Sequence, residues 1–283
     1  MPVRLPSLEE QTSVSSALRL LDGKIELNHK INETLELMAR AILKSWFIDF
    51  DPVHAKLQCK KPYGMDDATS SLFPDSFERT ELGNVPKGWR VGQFGDLAKI
   101  IRDGVNPGDA GDQTFHHYSL PAFDEGQRPR KELGSEIKSN KFIVKSNDIL
   151  ISKLNPATPR VWLLGADLIE CSVCSTEFMV IRKNNKFLHS YIYLLLTSPL
   201  VLDPLVQTAT GTSNSHQRTK PEVLLSVKIP IPTDEVLEKF EATIMPLLSM
   251  LLANRKEGTN LSEMRDLLLP RMLSGEFSLK ETP

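Results

Sequence analysis

The sequence predicts a mixed α/β (α+β) chain in which a β-rich domain is flanked by two long helices forming an antiparallel coiled coil. Three observations carry that expectation: a helical element that occurs twice, an apolar seam with heptad spacing along its first copy, and a series of short apolar runs between the copies. The repeat comes first, because self-similarity at a fixed offset indicates two segments with one job. Residues 6–46 and 232–272 align at an offset of 226 positions, where Pro6, Glu9, Leu21, Asn28, Lys30, Leu35, Met38 and Leu43 meet identical residues at Pro232, Glu235, Leu247, Asn254, Lys256, Leu261, Met264 and Leu269. Eight identities in 41 positions are modest, but Val14, Leu18, Ile25 and Ile42 also fall on Phe240, Ile244, Leu251 and Leu268, so the apolar register coincides.

In the first copy, Val14, Leu18, Leu21, Ile25, Asn28, Asn32, Leu35, Ala39, Ile42 and Trp46 are spaced alternately by four and three, which keeps one stripe facing a partner helix. The second copy supplies Leu247, Leu251, Asn254 and Leu261 to the same seam. Asparagine in a seam costs stability but fixes register, because a slip leaves its amide unpaired. The plainer alternative is an amphipathic helix packed on its own domain. The second copy is less regular: Gly258 and Arg265 lie on its seam line, and Pro246 predicts a kink because an interior proline removes a backbone hydrogen bond. Beside the first seam runs another apolar line, Leu20, Leu27, Ile31 and Met38, which either rests on the neighbouring domain or is offered to a partner protein.

Punctuation residues divide the chain into four parts: a helical spacer at 1–52, a linker at 53–85, a central domain at 86–231 and a second helical spacer at 232–283. Asp49-Phe-Asp-Pro52 stops the first helical pattern, and residues 53–80, rich in Pro, Ser and Asp, read as an irregular connection. In the central domain Lys141–Lys145, Ile149–Ser152, Val161–Leu164 and Glu177–Ile181 are short runs bounded by Gly, Pro, Asn and Asp, as strands are. Residues 188–207 read as helical around Pro199, and Val223–Ile231 as a strand.

With 283 residues and 40% hydrophobic content the chain can bury a sizeable core. No stretch approaches the roughly 18 apolar residues of a membrane span, and the N-terminus lacks a signal peptide's hydrophobic region. Three cysteines make no disulfide framework, so a cytoplasmic protein without membrane partners is expected. The formal charge of −2 is not the footprint of a protein that grips nucleic acid by bulk electrostatics. Residues 80–231 hold 18 Lys and Arg against 15 Asp and Glu, so any nucleic-acid surface there must be a clustered face or be helped by a basic partner, and the isolated chain should bind DNA weakly.

Several long motifs resemble one family. Leu21-Asp-Gly-Lys-Ile-Glu-Leu-Asn28 and the run from Ile31 to Asp51 resemble the central conserved region of specificity subunits of type I restriction-modification systems. The run Leu261–Glu276 resembles the distal conserved region of the same family. Asp148–Pro156, Gly211–Gln217 and Ile229-Pro-Ile-Pro232 resemble its target recognition domains. The resemblance covers nearly the whole chain and implies a non-catalytic DNA specificity subunit with no cofactor of its own. Its implied partners are double-stranded DNA, modification subunits that methylate adenine using S-adenosylmethionine, and restriction subunits. One departure is that the family pairs two recognition domains, whereas this chain has helix, one such domain, helix. It resembles the back half of such a subunit, beginning at Leu5–Gln11, and a symmetric homodimer could restore two readers. A natural half-length subunit, a gene fragment and a truncation all fit this pattern.

Bases are read by paired donors and acceptors, typically Arg or Lys for guanine and Asn or Gln for adenine. Two segments have that composition. The first contributes Arg102, Asn106, His116, His117, Tyr118, Arg128, Arg130 and Lys131; the second, a Gly-containing loop at 208–220, contributes Thr212, Ser213, Asn214, His216, Gln217, Arg218 and Lys220. Lys153, Asn155 and Arg160 are candidates for phosphate contacts, which position a duplex without specifying sequence. Solvated loops would have the same composition.

Catalytic readings are weaker. An amino-group methyltransferase needs an Asn-Pro-Pro-aromatic or similar motif, which Asn155-Pro-Ala-Thr158 fails. Asp124 with Glu136-Ile-Lys138 imitates a metal-dependent nuclease, a pattern that recurs by chance in charged chains. Cys171-Ser-Val-Cys174 has no second pair at zinc spacing and reads as buried strand cysteine, so no metal is expected. A coiled-coil assembly protein without DNA function explains the helices but not the polar loop. For the seam assignment, Asn28→Leu is expected to give mixed oligomeric species by light scattering, and one unchanged species would count against it.

Overall fold

A computed structural model describes residues 7–185, 188–211 and 217–273. Helix α1 spans Leu8–Phe47 and ends where Phe50 adopts a left-handed conformation at φ 54°. The 53–85 stretch, expected as an irregular linker, contains most of α2 (Asp51–Leu57), then α3 (Asp67–Ser71) and the antiparallel hairpin β1 (Phe77–Thr80) and β2 (Gly83–Pro86). Its Pro and Asp residues act locally: Pro52 occupies the first turn of α2, where no N–H is needed, and the Asp66 carboxylate caps α3 by accepting from the Thr69 N–H at 2.6 Å.

The chain continues through β3 (Arg90–Gln93), α4 (Phe94–Leu97), β4 (Ala98–Ile101), β5 (Gly104–Val105), β6 (Thr114–Tyr118), α5 (Leu120–Asp124), β7 (Arg130–Leu133), β8 (Lys141–Ile143), β9 (Ile149–Ser152), β10 (Val161–Leu163), β11 (Ser172–Ser175) and β12 (Phe178–Lys183). Helices α6 (His189–Leu196), α7 (Pro199–Gln207) and α8 (Pro221–Ser226) follow, then β13 (Lys228–Ile231) and the 40-residue α9 (Asp234–Leu273). The strand expected over Val223–Ile231 is therefore confined to its last four residues, because Pro221 opens a short helix first.

The structure divides into two compact units: residues 39–246, and residues up to Met38 together with those from Leu247 onward. In the first unit a four-stranded sheet has the order β10-β9-β12-β4 and a five-stranded sheet the order β5-β8-β11-β6-β7, with β6 and β11 parallel. Tyr118 and Cys174 from the five-stranded sheet pack with Leu150, Trp162, Phe178 and Val180 from the four-stranded sheet, so a core lies between them. The alternate residues Ile149, Ile151, Met179 and Ile181 are buried as well, which is why β9 and β12 read as unbroken apolar runs. Asp148, just before β9, is buried and receives both Arg182 Nε and Nη2 at 2.7 Å.

A cluster of aromatic rings joins the C-terminal end of α1 to the start of α9. The Phe47 ring lies 4.8 Å from both Tyr191 and Phe240 and 5.7 Å from Trp89, while Trp46 meets Phe73 at 5.2 Å. The buried Tyr191 hydroxyl donates to the Pro230 carbonyl at 2.8 Å.

In the other unit α1 and α9 run antiparallel. As the α1 partner advances from Asp22 through Asn28 to Asn32, the α9 partner falls back from Arg265 through Glu257 to Asn254. Asn32 therefore accepts from Asn254, the repeat equivalent of Asn28, at 2.9 Å. The repeated helix packs on its own copy about an approximate two-fold axis, the arrangement of an isologous dimer within one chain. Asn28 is buried and donates to Glu257 at 2.8 Å. Val14, Leu18, Leu21, Ile25, Leu35, Leu247, Leu251 and Leu261 are buried or half-buried, as is Arg265, which pairs with Asp22. Of the second apolar line, Leu20, Leu27 and Met38 are exposed and Ile31 is half-buried. Helix α9 is assigned without a break through Pro246, the position of the expected kink and of the boundary between units. No helix among the described residues is long and apolar enough to cross a membrane.

Phe47→Ala, which empties the middle of the aromatic cluster, is expected to cost about 3–5 kcal/mol in denaturant unfolding. His189 is buried at the start of α6, and burial, then the nearby Lys183 charge, pushes its pKa down to about 4. The folded state binds this proton more weakly than the unfolded chain does. Its contribution is therefore complete above pH 6.5 and is lost as the pH falls towards 4. Glu241, raised by burial, acts in the opposite sense. His189→Gln is expected to flatten the loss of thermal stability between pH 6.5 and 4.5, a slope worth on the order of 3 kcal/mol at most.

Candidate nucleic-acid interface

The polar loop at 208–220 grows from a defined base. Thr210 and Arg218 exchange backbone hydrogen bonds at 3.1 and 2.9 Å. The Asn155 N–H donates to the Gln217 carbonyl at 2.9 Å and the Thr219 N–H to the Lys153 carbonyl at 3.0 Å, which ties the returning stem to the chain leaving β9. Asn155 is left-handed at φ 50°, a conformation its short side chain tolerates, and its buried Oδ1 has no partner among the described residues. Thr212, Ser213, Asn214 and His216 lie outside the described residues. Gln217 is half-buried, and the exposed Lys220 precedes α8.

Around this base the structure gathers cations from distant segments. Arg218 makes two parallel hydrogen bonds to the Glu177 carboxylate, Nε to Oε2 and Nη2 to Oε1, each 3.1 Å. Arg102, just beyond β4, donates to Glu222 at 3.4 Å. The Lys153 ammonium is pushed below the ordinary lysine range, chiefly by burial; the Glu177 carboxylate opposes this, and the Arg102 and Arg218 charges add to it. Arg102 and Lys153 also line a cavity of about 270 Å³ whose apolar wall is Ile100, Phe142, Phe178 and Met179. Such a group can exchange its carboxylate partners for other oxyanions.

The candidates on β6 and β7 form a second group. His117 Nδ1 lies 2.7 Å from Glu132, and its pKa is lowered because burial outweighs that carboxylate. His116 is lowered by burial and then by the Lys131 charge. Arg130 holds Glu125 at 2.5 and 2.7 Å. Arg128 is half-buried and Lys131 exposed. Tyr118 requires correction: it is 8% exposed, its ring lies 4.7 Å from Trp162 in the core, and burial pushes its hydroxyl up to about 12. Strand alternation turns it into the core, while the neighbouring, largely buried His117 faces Glu132 on β7. Asn106 stands apart, donating to Asp109 at 2.9 Å within a short helical turn.

Arg160 belongs to neither group, since Asp124 receives its Nε and Nη2 at 2.7 and 2.9 Å. That bond occupies one acid of the nuclease-like pattern, and Glu136 accepts from the Leu133 N–H at 3.1 Å. Cys174 is buried in β11 with its thiol pushed up to about 12, and Cys171 precedes the strand. Among the described residues no group of three His, Cys, Asp or Glu side chains is placed to hold a metal. Sequence reasoning missed the carboxylates Glu125, Glu132, Glu177 and Glu222; Glu125 is only five positions from Arg130, but Glu177 and Glu222 stand 41 and 120 positions from the arginines they hold and leave no local signal.

No family model matches the chain. It is 27% identical to the HindI specificity subunit of Haemophilus influenzae, covering 98% of this chain and 69% of that protein. It is also 27% identical to the MjaIX specificity subunit of Methanocaldococcus jannaschii, over 98% of this chain and 60% of that protein. Over nearly its whole length the chain is similar to specificity subunits of type I restriction enzymes. It spans between 60% and 69% of the length of these two relatives. A crystal structure of the type I restriction-modification S subunit from M. genitalium shares the fold, with a TM-score of 0.52 at 15% identity over 94% of this chain and 61% of that one. The cations around Lys153 converge from three segments, with Arg102 and Arg218 lying 116 positions apart in the sequence.

Proposed function

We propose that the chain is the non-catalytic DNA specificity subunit of a type I restriction-modification complex, with residues 86–231 reading one half-site and the paired helices docking modification subunits. The observation that carries this reading is the convergence of Arg102, Lys153 and Arg218 beside the polar loop, in a chain similar over nearly its whole length to specificity subunits. Cations that position a duplex next to a loop rich in Asn, Gln, Ser and Thr suit a reader that combines phosphate contacts with base contacts. The His116, His117, Arg128, Arg130 and Lys131 group is the second candidate surface, and Asn106 and Arg160 are separate candidates outside both groups. Restriction subunits would join through the modification subunits, and methylation and cleavage would be performed by these partners.

A 40-residue helix extends about 60 Å at 1.5 Å per residue, a separation that suits two half-sites rather than one. Two copies of the chain related by a two-fold axis would supply both readers. The nuclease alternative finds Asp124 and Glu136 already committed to Arg160 and to the backbone. Methylation sequencing of DNA from cells expressing this chain with a modification subunit, and no other specificity subunit, tests the reading. The expected result is a palindromic, interrupted adenine-methylation motif. A non-palindromic motif would overturn the symmetric pair, and no new methylation would overturn the specificity role.

A further inference from the structure

Glu177 stands where a ligand oxyanion would be expected. It lies in the turn between β11 and β12, its N–H bonded to Ser175 Oγ at 3.2 Å and its carbonyl accepting from Lys153 at 2.8 Å, so the backbone holds it in place. Its carboxylate receives the two-pronged Arg218 fork described above, a geometry that planar carboxylates and phosphates share. Arg218 remains half exposed and Glu177 one-third exposed, so the pair borders solvent and can be opened from outside. Lys153 and Arg102 lie within electrostatic reach, and the cavity they line has a hydrocarbon wall that strengthens charge interactions at its mouth.

We propose that Arg218, Lys153 and Arg102 form a backbone-phosphate site of double-stranded DNA, which Glu177 occupies in the free chain. The inference rests on the DNA-reading function proposed above and adds the ligand group and its intramolecular competitor. Binding then exchanges the Arg218–Glu177 pair for an Arg218–phosphate pair. The displaced carboxylate stays close, so a phosphate off register competes poorly, and weak non-specific binding follows from the site itself as well as from the net charge.

The test uses the full chain, a fluorescein-labelled mixed-sequence 30-base-pair duplex and a salt series. Glu177→Gln keeps the side-chain shape and removes the competing charge. It is expected to tighten binding about five- to tenfold and to steepen the slope of log K against log salt by up to about one, because the Glu177 charge no longer offsets the neutralisation of the phosphate by Arg218. Arg218→Met, at an exposed position that tolerates change, is expected to weaken binding by a similar factor and to abolish the gain when combined with Glu177→Gln. Glu26→Gln on the exposed face of α1 controls for charge alone and is expected to leave the affinity unchanged. DNA binding by the wild-type chain with no gain from Glu177→Gln, or a gain that survives Arg218→Met, overturns the phosphate site and leaves the reading function standing. Absence of DNA binding by every variant at low salt overturns both.

Discussion

The aromatic cluster around Phe47 is the contact on which the 39–246 unit depends. It brings together the end of one long helix, the start of the other, Trp89 at the entry to the mixed domain and Tyr191 in a helix buried along its whole length. Large rings that meet edge to face bury much area and tolerate little displacement, so they set the angle and register of every segment that contributes one. The left-handed Phe50 belongs to the same arrangement: it turns the chain out of α1, and its ring lies 5.8 Å from Trp89 and 6.0 Å from Phe77 in the following hairpin.

Electrostatics in the mixed domain follow one pattern. Arg102, Arg130, Arg160, Arg182 and Arg218 each hold a carboxylate of the same chain. In the Arg182–Asp148 pair the carboxylate is buried and Arg182 half-buried, so the pair is structural: removing Arg182 would leave the Asp148 charge uncompensated beside β9. The exposed pairs contribute little to stability but lower the local field. A domain with only three excess positive charges can thus keep many guanidinium groups at its surface without the strong non-specific attraction that unpaired ones would bring.

The helix pair uses polar groups differently. Where α1 and α9 run side by side, the layer formed by Asn28, Asn32, Asn254 and Glu257 replaces apolar seam contacts with directional ones. The Asn28 Oδ1 finds no partner among the described residues, a cost that a leucine would not incur. Hydrogen bonds of this kind select one alignment of two similar helices, which matters when a repeated sequence offers several alignments of comparable hydrophobic merit.

Much of this was legible in the sequence. Heptad spacing from Val14 to Trp46, the repeat at 226 positions and the apolar runs of β9 and β12 determined two long antiparallel helices around a β-rich centre, because periodicity and burial on both faces are local, additive signals. The structure decided what depends on distant partners. The short helices and hairpin at 53–85 take their form from rings at Phe50, Phe73, Phe77 and Trp89, and β6 and β7, rich in His and Arg, carry no strand signature of their own. At the candidate interface, composition marked the basic and amide residues one by one but could not separate the inward Tyr118 from its neighbour His117. Nor could it foresee that Lys153, Arg102 and Arg218 share one site with Glu177, since that meeting depends on how the strands that carry them are ordered in space.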